Sequence, residues 1–494
     1  MMFTLFVVTL QCCLLFFSQS SSAFQSETLR SIVSVRRKIP GIVRRHPSHH
    51  VWFQSQLRGG SVQQTLDEGE EISSAEKSRR RGMSLALASS YLAVMGAKCA
   101  LPSVLSLLTS TTQGMTFVAA DNTTPQSQMA NLLGLSTLAV ASGKLLLGPV
   151  IDAIGGIRAF QASLLSLMGC LFMISCTQQF KIFSVAWIFV DFIFSACWAA
   201  AINAIHQSFP ENEWGRQIGF LATGARIGNA ASFSLFATIL YFLEGQTRQP
   251  WRVVFQVSAV LQALPLVLLS YYGGMTLKRG AFETYGQESQ SNSFEILKRE
   301  LLAPQFWLHL ISRSSLMVFA SFLLFVPTLM NKVYGTSNAV AAQIAAIYSM
   351  GCLLSISFGA PIYSSLPKKK KIMAIVSLLG LATLCSLIQL AHVSGNVQIS
   401  PAIAALSMFL WGFAFTIPFY LPPSLYALER GGRKGSATIS DGFDFLGFTL
   451  LAVFNGYVAS IRHAQPAAWI GCFQFTTLCS IIALIMQPLA VFLQ

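Results

Sequence analysis

Seven ionisable side chains lie inside long apolar stretches of the sequence, where a charge is costly and suggests a functional role. Four are cations and three are anions: Lys98, Lys144, Arg226, Arg313, Asp191, Asp441 and Asp444. Lysine and arginine gathered in a cavity of low dielectric select anions, and a guanidinium group adds the bidentate geometry that suits phosphate or carboxylate. The sequence therefore predicts an anion-binding site formed by the four cations.

Some of these ions also have a structural explanation. An alternative for Arg226 is an ion pair with Asp191, and Arg313 is long enough to extend its charged end to a membrane interface. Lys98 lies well inside its apolar stretch between small residues, so contact with a substrate is its favoured role.

Asp441 and Asp444 are three residues apart, so a helix would place both carboxylates on one face. One interpretation is that they neutralise Lys98 or Arg313. The other is that they bind a coupling proton or cation. The sequence leaves both interpretations open.

Aromatic residues near these ions are further candidates for the substrate site. Tyr91 precedes Lys98 by seven residues, two helical turns, which places both on one face. Trp198 and Trp411 lie in aromatic runs, which line a ligand site less often than they pack a core. All three are predicted to line the site, with packing as the alternative.

The composition identifies the kind of protein that must position these residues. The chain has 494 residues, of which 53% are hydrophobic and only 11% charged, against about 25% charged in soluble domains. Mean hydropathy is +0.58, which leaves too little polar surface to cover a soluble body of this size. The sequence predicts a polytopic protein embedded in a lipid bilayer.

The net charge of +14 does not indicate a nucleic-acid partner, because the basic residues form no single domain. They lie in the first 82 residues and in short loops, as topology-setting charges do. The cysteines and histidines show neither CxxC nor HExxH spacing, and no catalytic constellation is evident. We therefore predict no metal, no cofactor and no enzymatic activity.

Apolar segments of about 20 residues or more predict an all-α membrane protein with twelve transmembrane helices. The helices are expected near residues 83–108, 128–151, 158–177, 182–208, 216–243, 251–273, 305–330, 338–363, 371–392, 400–428, 434–460 and 467–492. This gives an N-terminal six-helix half at 83–273, a central loop at 274–304 and a C-terminal six-helix half at 305–494. Basic residues are concentrated before the first span and in the even-numbered loops, which places both termini in the cytosol or stroma.

The two halves repeat each other. Ser89–Ser103 and Ser314–Thr328 align at a constant offset of 225, so that Pro102 matches Pro327. A duplication of six helices is the parallel-repeat plan of major facilitator transporters.

The end of the second span carries the strongest motif, GKLLLGPVIDAIGGIR at Gly143–Arg158. It resembles the signature GxxxxGxxxDxxGxR of the major facilitator superfamily. Gly148 would permit close helix approach, Asp152 would cap or pair with a neighbouring helix end in one conformation, and Arg158 would supply an anchoring cation. These residues are expected to form a gate and not a substrate site.

Within that superfamily, the sequence is most similar to the organophosphate:phosphate antiporters. Lys144 matches a cavity lysine of that family, and Trp198 with Glu213–Gly215 resembles its W…ERG stretch. Ser436–Phe448 and Trp469–Phe473 resemble its closing pattern. The resemblance covers residues 84–493 and implies a monomer that exchanges an organophosphate for phosphate.

The sequence also departs from that family. Span one has Lys98, four residues before Pro102, and span seven has Arg313, fourteen before Pro327, where the family carries an arginine in each span. Trp214 stands in place of the arginine of ERG. A rival is therefore a proton- or cation-coupled carrier of a carboxylate, nitrate or neutral solute. A rival from another class is a receptor or scaffold on a transporter fold.

The N-terminus predicts a two-part presequence. Residues 1–23 contain a 15-residue apolar run followed by small residues, as in a signal peptide. Residues 24–82 begin with a Ser- and Arg-rich, acid-poor stretch, which is transit-peptide composition. With Phe24 at the junction, this arrangement resembles the bipartite plastid presequences of diatoms and related algae, and it implies the plastid envelope. The alternative is an ordinary secretory signal with a disordered tail, in a plasma or endomembrane protein.

Overall fold

The structure is a computed structural model that describes residues 74–108, 115–117, 125–243, 247, 249–278, 293–323, 325–336, 338–461 and 469–494. Nearly all of these residues are helical. The β-type pairing found among them is one isolated bridge, between Thr116 and Gln179. The predicted signal peptide and nearly all of the transit-peptide-like segment lie outside the described residues.

Fourteen α-helices run through the described part of the chain. They are α1 (Ser74–Leu108), α2 (Pro125–Ile154), α3 (Gly156–Cys176), α4 (Phe180–Ser208), α5 (Trp214–Leu243), α6 (Pro250–Leu261), α7 (Ala263–Lys278), α8 (Ser293–Leu301), α9 (Pro304–Phe322), α10 (Val326–Lys332), α11 (Asn338–Ser365), α12 (Lys368–Val393), α13 (Pro401–Ile461) and α14 (Trp469–Leu493). We refer to α1–α7 as the N-terminal half and to α9–α14 as the C-terminal half.

Ten helical segments among the described residues are long and apolar enough to cross a membrane, and the bent pair α9–α10 makes an eleventh. Helix α13 has 61 residues, about 90 Å at 1.5 Å per residue, or about three times the hydrocarbon thickness of a bilayer. Its backbone breaks at Gly432, where φ is 55° and ψ is −153°. With α13 counted as two spans meeting at Gly432, the described helices supply twelve spans, and the predicted all-α membrane fold is confirmed.

Three details differ from the sequence expectation. Span seven is bent by 60° between α9 and α10, because Pro327 has no N–H to donate to Leu323 and its ring clashes with that carbonyl. Spans ten and eleven follow one another with no loop beyond the break at Gly432. Within the predicted central loop, Ser293–Leu301 forms a helix.

The outer faces of the helices are apolar. On α2, for example, Leu138, Leu145 and Leu146 are each more than half exposed. Exposure of so large an apolar surface to water would be unfavourable, whereas its contact with lipid chains is favourable. The bilayer is therefore the solvent of this surface.

Ser78–Gln494 form one compact unit. Inside it, the N-terminal half meets the C-terminal half where α2 and α4 pack against α13 and where α5 packs against α11. Several of the predicted site residues, among them Lys144, Asp441 and Arg226, lie at these contacts.

Candidate functional site

Arg226 on α5 is a buried cation at the interface of the two halves. It is 7% exposed, and its guanidinium carbon lies 5.5 Å from the ring centre of Tyr420 and 6.0 Å from that of Phe415, both on α13. Its Nε has no hydrogen-bond partner, and no ion pair found in the described part of the chain includes it. A buried charge without a carboxylate partner is costly, so this position favours an anionic ligand.

An aromatic wall adjoins Arg226. The rings of Tyr91 and Trp198 meet edge to face at 5.3 Å, and Trp198 lies 5.2 Å from Tyr420. The indole N–H of Trp198 is buried and donates to no described residue. Two unmatched donors, this N–H and the Nε of Arg226, thus belong to one cluster of side chains, and an anion can satisfy unmatched donors of this kind.

Lys144 is paired with two carboxylates of the C-terminal half. Its Nζ lies 2.8 Å from Asp441 Oδ1 and 3.0 Å from Asp444 Oδ2. Asp444 also accepts a bond of 2.9 Å from Arg313 Nε. The four side chains are at most 5% exposed and form one network with equal numbers of positive and negative charges.

Arg313 is held in place within the C-terminal half. Besides its bond to Asp444, it donates to the backbone oxygen of Phe419 and stacks on that ring, 3.7 Å from the ring centre. The interpretation that Arg313 extends to a membrane interface is wrong, because the residue is 4% exposed. Asp441 and Asp444 were expected to neutralise Lys98 or Arg313. Asp444 pairs with Arg313, and neither aspartate pairs with Lys98.

Lys98 forms an ion pair with Asp191. Its side chain is 28% exposed and lies 5.0 Å from the ring centre of Phe194. The alternative in which Asp191 pairs with Arg226 is therefore wrong, since that carboxylate is engaged by Lys98. The partial exposure of Lys98 leaves it accessible, and its contact with a substrate stays a prediction.

The third aromatic candidate packs in the C-terminal half. Trp411 is fully buried and lies 4.8 Å from Phe322 and 5.1 Å from Phe319. This environment favours the packing alternative, and a role in substrate contact stays a prediction.

Tyr420 and Phe415 are site residues that the sequence reading missed. Both belong to the run FAFTIPFY at 413–420, where aromatic residues are as typical of packing as of a ligand wall. The signal that could have found them is their place in span ten, opposite the cation of span five. Only the packing of α5 against α13 shows which rings of that run face Arg226.

The gate motif joins the two halves at one end of the bundle. Asp152 accepts hydrogen bonds from the backbone nitrogens of Ala437 at 3.0 Å and Thr438 at 2.8 Å, and from the Thr438 hydroxyl at 2.6 Å. Asn203 donates to the same carboxylate at 2.9 Å. Asp152 thereby caps the part of α13 that follows Gly432, and its role in a gate stays a prediction.

The glycines of the motif permit this contact. A Cβ at Gly148 would lie 2.8 Å from the Thr438 Cα, so no side chain fits between α2 and α13 at this point. Gly155 has a φ of 90°, which a glycine adopts at little cost, and it turns the chain from α2 into α3. Arg158 follows on the first turn of α3 and is exposed.

A second contact closes the same end of the bundle. The hydroxyls of Thr223 on α5 and Ser357 on α11 lie 3.1 Å apart. A Cβ at Gly219 would lie 2.6 Å from the Ala360 side chain. Contacts of α2 with α13 and of α5 with α11 thus join the two halves at the end that carries the motif.

Comparisons with known proteins agree with this arrangement. The family profile described as Major Facilitator Superfamily matches residues 83–439. A search of curated proteins finds no match.

Solved structures resemble the chain at low sequence identity. The proton:xylose symporter XylE bound to 6-bromo-6-deoxy-D-glucose has 13% identity and a TM-score of 0.62, with 83% of this chain and 95% of that chain covered. The human organic anion transporter MFSD10 has 14% identity and a TM-score of 0.59, with 83% and 99% covered. The E. coli fucose:proton symporter FucP (N162A) has 12% identity and a TM-score of 0.55, with 82% and 98% covered.

At these identities the likeness shows a shared fold alone, but the family match spans well over half of the sequence and includes the gate. The chain belongs to the major facilitator superfamily.

Proposed function

We propose that the protein is a secondary active transporter that moves a small anionic metabolite across its membrane by alternating access. The observation that carries the proposal is Arg226, a buried cation between the two halves with no carboxylate partner among the described residues. A ligand with a negative charge would compensate it. Tyr91, Trp198 and Tyr420 would form the walls around that ligand.

Transport requires the two halves to rock about the site. In the closed gate, Asp152 caps α13 and Lys144 is bonded to Asp441 and Asp444. All of these contacts join the halves, so opening at this end breaks them together. Arg226 also faces rings of the opposite half, so a bound anion there would be exposed or enclosed as the halves move.

For the substrate, our first proposal is exchange of an organophosphate, such as a phosphorylated sugar or triose, for inorganic phosphate. It rests on the resemblance of Lys144, Trp198 and Trp469–Phe473 to the organophosphate:phosphate antiporters, and on the fit of a guanidinium group to phosphate. The fold likeness to an organic anion transporter is compatible with an anionic substrate. Exchange would be obligatory if repulsion between the cations of the empty site prevented the two halves from rocking without a bound anion.

A second candidate is a proton- or cation-coupled carrier of a carboxylate, nitrate or neutral solute. The observation that favours it is the neutralisation of Lys98, Lys144 and Arg313 by carboxylates. Of the four predicted binding cations, all within the described residues, Arg226 alone lacks a carboxylate partner, and one such cation suits a singly charged anion better than a doubly charged phosphate ester. Two of the solved structures with this fold are named as proton symporters.

The experiment that tests the proposal is uptake of labelled phosphate, malate or nitrate into proteoliposomes. The vesicles are loaded with phosphate, triose phosphate, malate or no anion. Uptake of phosphate that requires internal phosphate or triose phosphate would support exchange. Uptake of malate or nitrate into empty vesicles would support the second candidate.

Saturable binding of these anions without flux under any loading would support the receptor or scaffold alternative. Gate contacts such as those of Asp152 and Gly148 count against a scaffold, because a scaffold has no need to rock. The absence of both binding and flux for every anion would contradict the proposal as a whole.

We further propose that the protein acts as a monomer in the plastid envelope, directed there by residues 1–82. A fluorescent fusion of these residues should label the plastid, and replacing Phe24 by Ala should redirect it. Labelling of the plasma membrane by the unaltered fusion would contradict the location.

A further inference from the structure

Asp441 is less completely bonded than its neighbour in the buried network. Asp444 has contacts on both oxygens, with Arg313 at Oδ1 and Lys144 at Oδ2. Asp441 is fully buried and uses Oδ1 for Lys144, while its Oδ2 has no hydrogen-bond partner. Lys144 is thus the one described residue that forms an ion pair with Asp441.

The partners of the two carboxylates lie on different halves. Arg313 and Asp444 both belong to the C-terminal half and stay together when the halves rock. Lys144 belongs to the N-terminal half, so opening of the gate carries it away from α13. Asp444 then keeps a cation, whereas Asp441 is left as a buried carboxylate without one.

We infer that Asp441 is a proton site, and that it takes up a proton from the solution on the gate side when the gate opens. The step is the addition of H⁺ to the carboxylate, which gives a neutral carboxylic acid and removes the cost of an isolated buried charge. When the gate closes, Lys144 returns to pair with the carboxylate, and the proton leaves through the cavity to the solution on the opposite side. The inference rests on the alternating access proposed above.

The groups that face Asp441 fit this assignment. On α2 they are Lys144 and Asp152, and on α4 the thiol of Cys197. On its own helix Asp444 adds a second negative charge, which Arg313 of α9 compensates. When the halves separate, Asp444 keeps Arg313 and Asp152 keeps its bond from Asn203, because each of these partners lies on the same half. The one described ion-pair partner of Asp441 lies on the opposite half.

A proton at this site changes what the cavity can carry. Neutralising Asp441 adds one positive charge to the buried set beside Arg226. This charge would balance one further negative charge on the substrate. Each anion would therefore cross together with one proton. Net uptake would carry protons into the vesicle, whereas exchange, in which one proton crosses in each direction, would move none in sum.

The test is a simultaneous measurement of anion and proton movement in proteoliposomes that contain a trapped pH-sensitive dye. The anion is whichever of phosphate, triose phosphate, malate and nitrate gives the largest flux. During net uptake into vesicles without an internal anion, we expect the wild-type protein to move about one proton inward per anion. Asp441→Asn should still exchange labelled anion for internal anion, and its proton movement without an internal anion should be at least tenfold lower than that of the wild type.

Thr449→Ala is the matched control. Thr449 lies on the same helix and is exposed, and its hydroxyl bonds only to the backbone of Phe445. It should keep the wild-type ratio of protons to anions. Unchanged proton movement in Asp441→Asn would overturn the assignment.

A second measurement covers the case in which Asp441→Asn does not fold. In wild-type protein, an infrared band of a protonated carboxyl should appear as the pH is lowered, and Asp441→Glu should shift that band. A band that Asp441→Glu leaves unmoved would also overturn the assignment. Net anion uptake with no proton movement in the wild-type protein would contradict the proton site alone, whereas no anion flux would contradict the transport function.

Discussion

Asp152 and Thr438 are 286 positions apart in the sequence, yet one carboxylate oxygen of Asp152 accepts both the backbone N–H and the hydroxyl of Thr438, at 2.8 and 2.6 Å. The bonds link α2 of one half to α13 of the other. The carboxylate lies near the start of the part of α13 that follows Gly432, where the positive end of the helix dipole favours a negative charge. The pair therefore stabilises the closed gate.

Replacing Asp152 by Asn should shift the protein towards an open gate. The substitution keeps the size of the side chain and removes the charge, and a hydrogen bond to a charged group contributes about 1.5–3 kcal/mol. We expect the closed state to lose about tenfold in population or more. Oxidative cross-linking of a Thr223→Cys, Ser357→Cys pair, whose native hydroxyls lie 3.1 Å apart, reports closure.

The control for this experiment is Ser142→Ala on the same helix. Ser142 is exposed and bonds only to Leu138 of its own helix. Its variant should cross-link like the unaltered pair. If Asp152→Asn also cross-linked at the unaltered rate, the cap would not stabilise the closed gate.

Gly148 offers a steric test of the same contact. A Cβ at this position would meet the Cα of Thr438 at 2.8 Å, a backbone atom that cannot move aside. Overpacking of this kind costs about 1–3 kcal/mol. Gly148→Val should therefore slow cross-linking of the same cysteine pair, whereas Gly134→Val, on the same helix with no atom within 4 Å, should not. Equal effects of the two variants would show that the close approach is irrelevant to closure.

The sequence was sufficient to predict the fold and to single out the motif at the end of span two. Both signals are local in the sequence. One is the length of the apolar segments, and the other is the spacing of the residues from Gly143 to Arg158. The fold prediction is confirmed. The contact of Asp152 with α13 is observed, and the role of the motif as a gate stays a prediction.

The pairing of the buried ions could not be read from the sequence. Spacing shows that Asp441 and Asp444 share a helical face, but it does not show which cations of other helices reach them. The sequence suggested Arg226 as a partner for Asp191, whereas Lys98 forms that pair, and the choice depends on packing between helices. The bend near Pro327 was missed for a different reason, because proline within membrane helices is often tolerated.

The pair of Lys98 and Asp191 allows a substrate role to be separated from a structural one. Breaking a buried ion pair from one side leaves an uncompensated charge, at a cost of up to about 3–5 kcal/mol that is smaller here because Lys98 is partly exposed. Lys98→Gln should therefore reduce both thermal stability and transport. Lys98→Gln combined with Asp191→Asn should restore the melting temperature. If transport stays lost in the double variant, Lys98 contacts the substrate, and restored transport would contradict that role.

Arg226 is the residue on which the anion site depends most. Arg226→Gln removes the charge and keeps much of the length, and losing a hydrogen-bonded charge costs about 1.5–3 kcal/mol. We expect anion affinity, measured as the half-saturating concentration for uptake or by calorimetry, to fall about 10- to 100-fold. Arg226→Lys should retain part of it, since a lysine keeps the charge but not the planar geometry.

Arg216→Gln is the control on the same helix. Arg216 is exposed and bonds to Glu213, so this variant should bind like the wild type. Unchanged affinity in Arg226→Gln would contradict the site, because the other buried cations among the described residues already have carboxylate partners.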